Sequence, residues 1–431
     1  MIGVKDTIAL YIHIPFCQRK CHYCSFISYD SRQADIPVYL KALKTEMVQR
    51  AGGKTVNSIY FGGGTPSLLS AAQVGELLTT VRSLFAMGKG AEISIEANPG
   101  TVDKAYLTAI RKLGINRLSL GVQSLNDGEL NLLGRIHNAN EVREAVQFAR
   151  SAGFDNLNLD FIYGLPGQSL SDWRRTLEEA ITLKTEHLSL YALTLEEETP
   201  LWRAIEEKAL PAIDADLSAD QYELAEDLLA ASDYRHYEIS NWAKDGPSTS
   251  FNSVQDRVLR TSYECRHNLV YWQNLPYLGV GVAAHSCLNG HRMANTSDLD
   301  KYMTDFVAGS SFLPEMDEEI SPELELAETV ILGLRLDKGI GMVDIKDRYG
   351  IDVLSYYQGQ IEEMKEAGLL ECNGEYLKLT RRGRLLSNEV FWRLLPACPE
   401  SNYLSLDGRG VCEGEIDSTP HLSPQGERKW G

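Results

Sequence analysis

The chain has 431 residues, with 60 aspartates and glutamates against 42 lysines and arginines, which gives a formal net charge of −18. This excludes a general binder of nucleic acid or anionic membranes, because such binders present a basic surface. With 43% hydrophobic and 24% charged residues, the composition is that of a folded soluble protein, and the length is sufficient for one large barrel and a smaller domain. No apolar run approaches the roughly 18 residues of a membrane-spanning helix, and we identify no secretory signal, so we expect a cytoplasmic protein.

Short β-branched runs alternate with segments of helical period from the start of the chain to about residue 195. Strand and helix in repetition predict a parallel sheet. Because the crossovers are right-handed, six such units should curl into an open or partial barrel, with a ligand site at the carboxyl ends of the strands. The six predicted strands are Ile8 to His13, Ser58 to Phe61, Glu92 to Ala97, Arg117 to Val122, Asn156 to Tyr163 and His187 to Leu193.

From about Glu196 the alternation stops, and helical segments such as Leu217 to Ala231 and Glu323 to Leu336 are expected to dominate. Nearer the C-terminus, the order helix, helix, hairpin, helix predicts a winged-helix-like module. Its predicted elements are Val343 to Tyr349, Val353 to Glu366, the hairpin Leu369 to Leu379, and Arg381 to Val390.

The predicted fold class is α/β, a partial (β/α)6 barrel with a smaller, mainly helical, winged-helix-like C-terminal domain. We divide the chain into residues 1–195 for the barrel, 196–320 for a linking region and 321–395 for the C-terminal domain. Residues 396–431 lack periodicity and are predicted to be a disordered tail. The segment Asp245 to Ser262 also lacks a pattern and is predicted to be a loop.

Three of the eight cysteines lie together in Cys17-Gln-Arg-Lys-Cys21-His-Tyr-Cys24, after the first predicted strand. Eight cysteines are too few for a disulfide scaffold in a chain of this size, so clustered thiols indicate metal or redox ligands. Three thiolates at this spacing can bind three irons of a [4Fe-4S] cluster and leave the fourth open. An open iron can chelate S-adenosylmethionine (SAM) and reduce its sulfonium. The alternatives are a structural zinc, whose fourth ligand would be His22 or a distant residue, and inert cysteines of the core.

Polar and glycine residues follow the other strands at the same predicted edge of the sheet. The run Gly62-Gly63-Gly64-Thr65-Pro66 comes after the second strand, Glu96 ends the third, Gln123 follows the fourth, and Asp160 lies in the fifth. Glycines let a backbone approach a ligand closely, although alone such a run indicates only a tight turn. Strand-end carboxylates can likewise simply cap helices. Their common position beside the cysteines favours one shared ligand.

These motifs resemble the radical SAM superfamily, and within it the group of oxygen-independent coproporphyrinogen III dehydrogenase and the HemW-type heme chaperone. The resemblance extends through most of residues 8–390. It rests on Tyr11-Ile-His13-Ile-Pro15-Phe16-Cys17, the cysteine triplet, Gly62 to Pro66, Ile95 to Pro99, Arg117 to Ser124, Leu133 to His137, Asp160 to Gly167 and Tyr237 to Asn241.

The resemblance implies a [4Fe-4S] cluster on Cys17, Cys21 and Cys24, together with bound SAM. The positions that match the family's SAM contacts are Tyr11, Tyr23, Gly63, Gly64, Thr65, Glu96, Gln123, Arg135, Asp160 and Ala192.

Two branches of this group differ in features that the sequence contains. The dehydrogenase pattern has a further cysteine two positions after the third ligand, where this chain has Phe26. The dehydrogenase also carries a long N-terminal extension, and since the first strand begins near Ile8 we expect none here. The chaperone branch instead carries an HNxxYW motif, and this chain has His267-Asn268-Leu-Val-Tyr271-Trp272. The resemblance is therefore closest to the heme chaperone.

His267 is the predicted axial ligand of heme, because iron needs a nitrogen donor and the porphyrin ring needs apolar cover. Without the resemblance, a packed core histidine would be the better interpretation. The chain also has a segment around Thr249 to Glu264 that the family pattern lacks. Cys265 lies two residues before His267 and could compete as a ligand, although we expect it to be an exposed thiol in a loop.

The sequence thus predicts a heme chaperone that binds heme, a [4Fe-4S] cluster and SAM, and transfers heme to acceptor proteins of unknown identity. We expect no nucleic-acid partner, no transmembrane segment, and membrane contact only peripherally, through acceptors. The first alternative is an oxygen-independent coproporphyrinogen III dehydrogenase, which decarboxylates propionates with a 5′-deoxyadenosyl radical. The second is a radical enzyme acting on another tetrapyrrole. No residue is assigned a catalytic role.

Overall fold

The structure, a computed structural model, describes residues 7–246 and 262–396. Within these residues, twelve strands share one sheet, in the order β12-β11-β10-β9-β1-β2-β3-β4-β5-β6-β8-β7. The six strands β1 to β6 are parallel and follow chain order, which confirms the predicted partial barrel. They are β1 Thr7–Ile14, β2 Thr55–Gly63, β3 Ala86–Ala97, β4 Arg117–Gln123, β5 Leu157–Tyr163 and β6 His187–Ala192.

Helices connect these strands and cover the outer face of the sheet. In β4, Leu118, Leu120 and Val122 are fully buried in the main hydrophobic core, whereas the alternate positions face the barrel interior. The connecting helices are α1 Ile36–Arg50, α2 Ala71–Leu84, α3 Lys104–Leu113, α4 Asp127–Leu132, α5 Ala139–Ser151 and α6 Leu170–Thr182. The carboxyl ends of the six strands therefore meet at one open edge.

Helices make up most of the regular structure from Glu196, as expected, but the region also contains six short strands that the sequence did not predict. Two strands extend the sheet antiparallel beyond β6, and four more extend it beyond β1. These strands have three or four residues each, too few to show an alternating pattern in the sequence. They are β7 Arg235–Glu238, β8 Asn241–Ala243, β9 Tyr277–Val280, β10 His285–Leu288, β11 His291–Ala294 and β12 Met316–Glu319.

The remaining helices of the region from 196 lie between these short strands. They are α7 Pro200–Glu206, α8 Ala215–Ala230, α9 Arg266–Trp272 and α10 Leu299–Val307. Strands that precede residue 195 and strands that follow it share one sheet. The domain boundary that the sequence places at residue 195 stays a prediction. Of the predicted loop Asp245 to Ser262 and the unmatched segment Thr249 to Glu264, residues 247–261 lie outside the described part of the chain.

The C-terminal domain has its own hydrophobic core and a three-stranded sheet. The predicted order of helix, helix, hairpin and helix is confirmed, except that the second and last helices are each divided in two. The elements are α11 Pro322–Leu334, β13 Ile340–Gly341, α12 Met342–Tyr349, α13 Val353–Tyr356, α14 Gln358–Glu366, β14 Leu370–Cys372, β15 Tyr376–Leu379, α15 Arg381–Leu385 and α16 Ser387–Leu394.

An ionic contact joins this domain to the barrel. The guanidinium of Arg384 donates to Glu226 Oε1 on α8, with distances of 2.7 Å from Nη2 and 2.9 Å from Nε. Within residues 7–246 and 262–396, no helix is both long and apolar enough to cross a membrane. The predicted tail after residue 396 lies outside the described residues.

Candidate functional site

One cavity of about 440 Å³ opens at the carboxyl ends of the parallel strands. All fourteen residues that the sequence assigned to cofactor or metal binding line it, so the structure brings the whole predicted set together. These residues are Tyr11, Cys17, Cys21, Tyr23, Cys24, Gly63, Gly64, Thr65, Glu96, Gln123, Arg135, Asp160, Ala192 and His267.

The cysteine loop leaves β1 and is held in place by backbone hydrogen bonds. The Cys17 N–H donates to the carbonyl of Tyr29 at 2.9 Å, and the Tyr29 N–H donates back to the carbonyl of Pro15 at 2.7 Å. Further along the loop, the Arg19 guanidinium donates to the carbonyls of Gly134 and Arg135 at 2.7 and 2.6 Å. The loop is thus fixed at both ends against the mouth of the barrel.

The three thiols of the loop are reduced and face the same cavity. Arg135 Nη1 lies 3.3 Å from Cys21 Sγ, and the Thr65 hydroxyl lies 3.7 Å from Cys17 Sγ. Burial raises the pKa of Cys24 to about 11, which a bound cation would reverse. A soft set of three sulfur donors beside a guanidinium fits an iron–sulfur cluster.

The described part of the chain has no site for a single metal ion such as zinc, because no three His, Cys, Asp or Glu side chains are grouped there to hold one. The assignment of the three cysteines as cluster ligands therefore stays a prediction from their spacing.

The glycine run lies directly against the cysteine loop. The N–H of Gly64 donates to the carbonyl of Ile14 at 2.9 Å, and that of Thr65 donates to the carbonyl of Phe16 at 2.7 Å. A Cβ atom on Gly64 would lie 2.7 Å from the Phe16 carbonyl oxygen, and one on Gly63 would lie 2.5 Å from the His13 ring. Gly63 also has a φ of +112°, which favours glycine. Both glycines are needed for this close approach, and both line the cavity.

Glu96 is the carboxylate nearest the glycine loop. Its Oε1 accepts a hydrogen bond from the Tyr60 hydroxyl at 2.8 Å, and its Oε2 accepts one from the Gly63 N–H at 3.3 Å. Burial, opposed by the Tyr60 hydrogen bond and aided by the charge of Asp160, raises the pKa of Glu96 to about 7. The group can therefore change protonation state near neutrality.

Asp160 begins a chain of buried hydrogen bonds that runs down the barrel. Its carboxylate accepts from the Ser119 hydroxyl at 2.9 Å and from Asn158 Nδ2 at 2.7 Å. The side-chain oxygen Oδ1 of Asn158 lies 2.6 Å from His187 Nδ1, and His187 Nε2 lies 2.9 Å from the Tyr237 hydroxyl. Burial raises the pKa of Asp160. The chain links the cavity mouth to the segment Tyr237–Asn241.

Gln123 and Arg135 complete the mouth on the β4 side. Gln123 has a φ of +66°, a left-handed conformation that is uncommon outside glycine. Arg135 Nη2 donates to the carbonyl of Gly121 at 2.7 Å, so the same guanidinium contacts β4 and the cysteine loop. Burial also raises the pKa of Tyr23, which keeps its phenol neutral beside Arg135.

His267 lies on α9, deeper in the same cavity. Its Nδ1 is 2.9 Å from the Ser58 hydroxyl, and its Nε2 is 3.0 Å from the Tyr271 hydroxyl. The imidazole also stacks on the ring of Tyr60, with centroids 5.1 Å apart. Burial and the charge of Arg117 lower the pKa of His267 to about 3, so the ring is neutral. His267 is thus both a packed histidine and a cavity residue.

Cys265 corrects one prediction. Its side chain is 4% exposed, so it is not the exposed loop thiol that the sequence suggested. The reason is Glu92, whose carboxylate accepts the N–H groups of Arg266 and His267 at 3.2 and 3.1 Å and so draws the start of α9 against β3. Burial raises the pKa of Cys265 to about 12.

Sequence reasoning missed several residues that line the deeper part of the cavity. Tyr60, Arg117 and Arg335 all do so. One signal was available for Arg117, because it shares the inward face of β4 with Gln123, at an even spacing along the strand. For Arg335, at the end of α11, the sequence holds no comparable signal.

Comparison with known families matches two separate segments of the chain. The profile described as Radical SAM superfamily matches residues 11–180, and the one described as HemN C-terminal domain matches residues 320–386. The first segment runs from within β1 to the end of β5 and into α6, and the second includes the three-stranded C-terminal sheet.

Curated relatives cover most of the chain. The protein named heme chaperone HemW from Bacillus subtilis is 33% identical over 389 residues, 89% of this chain and 98% of the relative. The protein of the same name from Escherichia coli is 34% identical over 392 residues, 89% of this chain and 97% of the relative. A mouse protein named Radical S-adenosyl methionine domain-containing protein 1, mitochondrial, is 32% identical over 423 residues, 93% of this chain and 90% of the relative.

A solved structure shares the fold over nearly the whole length. The structure described as coproporphyrinogen III oxidase (HemN) from Escherichia coli, a radical SAM enzyme, aligns with a TM-score of 0.76 at 25% identity. The alignment covers 91% of each chain.

Proposed function

The chain belongs to the radical SAM superfamily and, within it, to the family of the relatives named heme chaperone HemW, and on that basis we propose that it binds heme and transfers it to acceptor proteins in the cytoplasm. Relatives of that name align with nearly their entire length. The acceptors are proteins of unknown identity, and neither nucleic acid nor an integral membrane contact is part of the proposal.

One observation carries the proposal: His267 of the HNxxYW motif lines the same cavity as the cysteine loop. Its imidazole is neutral, because burial lowers its pKa to about 3, and neutral imidazole is the form that binds iron. The aromatic rings of Tyr60 and Tyr271 lie within 5.1 and 5.3 Å of it, centroid to centroid. Aromatic faces give a porphyrin the apolar cover that it needs.

Iron binding by His267 requires one change in this arrangement. Nε2 is 3.0 Å from the Tyr271 hydroxyl and would exchange that contact for the metal. Nδ1 keeps its contact with the Ser58 hydroxyl, at 2.9 Å, which orients the ring. A ligand histidine whose other nitrogen is held by a neighbour is the usual arrangement around metals.

At the mouth of the cavity, Cys17, Cys21 and Cys24 would hold a [4Fe-4S] cluster. When bound, the cluster supplies an open iron for the amino and carboxylate groups of SAM, and a source of one electron. The side chains that line the mouth would hold the cofactor by their own chemistry. Glu96 offers a carboxylate near neutrality, and Gly63 and Gly64 allow close approach of the backbone.

The alternative function is oxidative decarboxylation of coproporphyrinogen III, which the structural similarity to HemN favours. Phe26 argues against this alternative. It occupies the position where the dehydrogenase pattern has a cysteine, and it lines the cavity mouth with 42% of its surface exposed. The curated relatives named heme chaperone also outweigh one solved enzyme at 25% identity.

A paired assay tests the proposal. The reconstituted protein is incubated anaerobically with coproporphyrinogen III, SAM, a one-electron reductant for the cluster and an electron acceptor for the substrate. Separately, it is loaded with heme and mixed with an apo-form of a heme-dependent enzyme. We expect no protoporphyrinogen and a gain of activity in the acceptor that exceeds the gain from free heme. Formation of protoporphyrinogen, with no transfer of heme, would establish the alternative.

A further inference from the structure

The cavity has a second end, away from the predicted SAM contacts. Gln123, the last residue of β4, lies at the mouth, whereas Arg117 is the first residue of the same strand. Six residues of extended strand span about 20 Å. Both residues line the cavity, so it continues from the cysteine loop down inside the barrel.

The interior of this barrel is polar along its length. Barrel interiors are ordinarily filled by Val, Ile and Leu side chains. Here the buried inward positions are polar, and they include Ser58, Ser94, Arg117, Ser119, Asn158 and Ser189. Three of these, Arg117, Asn158 and Ser189, line the cavity together with residues of helix α9. An interior of this composition suits a polar ligand better than a packed apolar core.

Arg117 is a buried cation without a hydrogen-bond or salt-bridge partner among the described residues. Its side chain is 2% exposed, no hydrogen bond or salt bridge joins its guanidinium to the described part of the chain, and its Nε has no acceptor. The hydroxyl of Ser94, which is paired with Arg117 between β3 and β4, also has no partner there. A guanidinium stays charged in proteins, and burial of an unpaired charge is strongly unfavourable.

The carboxylates that act on Arg117 accept their hydrogen bonds from other groups. Glu92 accepts the N–H groups of Arg266 and His267, and Asp160 accepts from Ser119 and Asn158. Both carboxylates act on Arg117 electrostatically, through space. In the described part of the chain neither forms a hydrogen bond or salt bridge with its guanidinium, so Nε is left without an acceptor there.

A second buried donor faces the same space. Trp272 lines the cavity, and its indole Nε1 has no hydrogen-bond acceptor in the described part of the chain. Trp272 and His267 belong to the same short helix, α9. Arg117 also acts on that helix electrostatically, since its charge contributes to the low pKa of His267. Two unpartnered donors and the predicted iron ligand therefore share the deep end.

We propose that Arg117 binds a carboxylate of the ligand in the deep end of the cavity, with Trp272 Nε1 as a second donor, and that this carboxylate is a propionate of heme. The proposal rests on the proposed function, because it assumes that heme is the ligand near His267. Arginine suits this role, since its planar fork matches both oxygens of a carboxylate. The carboxylate of SAM is the other source of the same chemistry, but the predicted SAM contacts lie at the mouth.

The experiment compares heme with its dimethyl ester, in which both propionates are blocked. Each is titrated into the reconstituted wild-type protein and into the Arg117→Gln and Arg117→Lys variants, with the Soret band as the readout. We expect wild type to bind heme about tenfold to a hundredfold more tightly than the diester. Arg117→Gln should lower the heme affinity to that of the diester and leave diester binding unchanged, and Arg117→Lys should restore part of the difference.

Controls separate the outcomes. Arg82→Gln removes the same charge from an exposed position and should change neither affinity. If wild type binds neither compound, the proposed function fails. If wild type binds both equally, or if Arg117→Gln weakens both equally, heme binding stands and the assignment of Arg117 is overturned.

A third arm measures SAM binding by equilibrium dialysis. We expect Arg117→Gln to retain it, and a selective loss of SAM binding would assign Arg117 to the carboxylate of SAM instead. If Arg117→Gln does not fold, the comparison of heme with the diester in wild type and in Arg117→Lys still decides the matter.

Discussion

The phenol ring of Tyr60 stacks on the imidazole of His267, with centroids 5.1 Å apart and an interplanar angle of 28°. The hydroxyl of the same tyrosine donates to Glu96 Oε1 at 2.8 Å. Tyr60, on β2, therefore contacts both Glu96, whose carboxylate is predicted to contact SAM, and His267, the predicted ligand of the heme iron. The mouth and the deep end of the cavity are therefore connected through the side chain of Tyr60 as well as through the open volume of the cavity.

Tyr60 should separate the two ends when its hydroxyl and its ring are removed in turn. Tyr60→Phe keeps the stack and removes a hydrogen bond that lowers the pKa of Glu96, so that pKa should rise. Heme affinity should stay within about threefold of wild type, while SAM affinity at pH 7 should fall. Tyr60→Leu removes the stack as well and should weaken both ligands. Equal effects of Phe and Leu on heme binding would show that the ring contact is irrelevant.

The cysteine loop should account for all the iron of a protein reconstituted with iron and sulfide in the absence of heme. We expect about four irons per chain, as a [4Fe-4S] cluster requires, and none above background after Cys17, Cys21 and Cys24 are changed together to Ala. Iron and acid-labile sulfide analysis measures this. The matched control is Cys287→Ala, a half-buried thiol that does not line the cavity, which should keep its full iron. A cluster in the triple variant would refute the ligand assignment.

SAM binding should depend on pH through Glu96. The folded pKa of about 7 lies above the usual 4.5, because burial disfavours the charged form, so the carboxyl is largely protonated below pH 7. SAM carries a cationic sulfonium, and its amino group still has N–H donors when it is bound to the open iron, so both groups favour the carboxylate form of Glu96. Affinity should therefore rise with pH by up to about tenfold per unit below pH 7 and level off above it.

The matched variant for this prediction is Glu96→Gln, which keeps the shape of the side chain and cannot ionise. It should bind SAM weakly, with a flat profile between pH 5.5 and about 8.5. Equilibrium dialysis with labelled SAM gives both curves. A wild-type profile as flat as that of the variant would mean that Glu96 does not meet the cationic part of the cofactor.

The contact between the two domains should contribute to stability without affecting the cofactors. Arg384 bonds to Glu226 on α8, which is 8% exposed, and neither lines the cavity. Arg384→Met leaves this buried carboxylate with weaker compensation and should lower the free energy of unfolding by about 3 kcal/mol. Urea denaturation measures the loss, and the iron content should not change. The conservative Arg384→Lys should lose less.

The sequence was sufficient for the parallel strands and for the cavity mouth, because both rest on local signals. Strands β1 to β6 follow alternating or β-branched runs, and the residues at their ends sit in short motifs. The short edge strands were not predictable, since three or four residues carry no period. They form by pairing, β9 with β1 and β8 with β6, and the other four with these two or with one another. The stack of Tyr60 on His267 joins residues 207 positions apart, and depends on how Glu92 draws α9 against the sheet.

The sequence predicts only part of what the structure shows for Arg117. Its place on the inward face of β4 follows from the period of the strand. Its lack of a hydrogen-bond partner among the described residues does not, because that depends on Glu92 and Asp160 accepting hydrogen bonds from groups distant in sequence. The deep end of the cavity could therefore be found only in the folded structure.

The most direct test of the account is a heme titration of the reconstituted protein beside two histidine variants. His267→Ala removes the proposed iron ligand, while His137→Ala removes a histidine of similar burial that lies outside the cavity and is held by Asn98 and the Val122 carbonyl. We expect about one heme per wild-type chain, a similar Soret spectrum for His137→Ala, and a loss of affinity of at least about tenfold with an altered spectrum for His267→Ala at unchanged cluster content. An unaltered heme spectrum and affinity in His267→Ala would contradict the account.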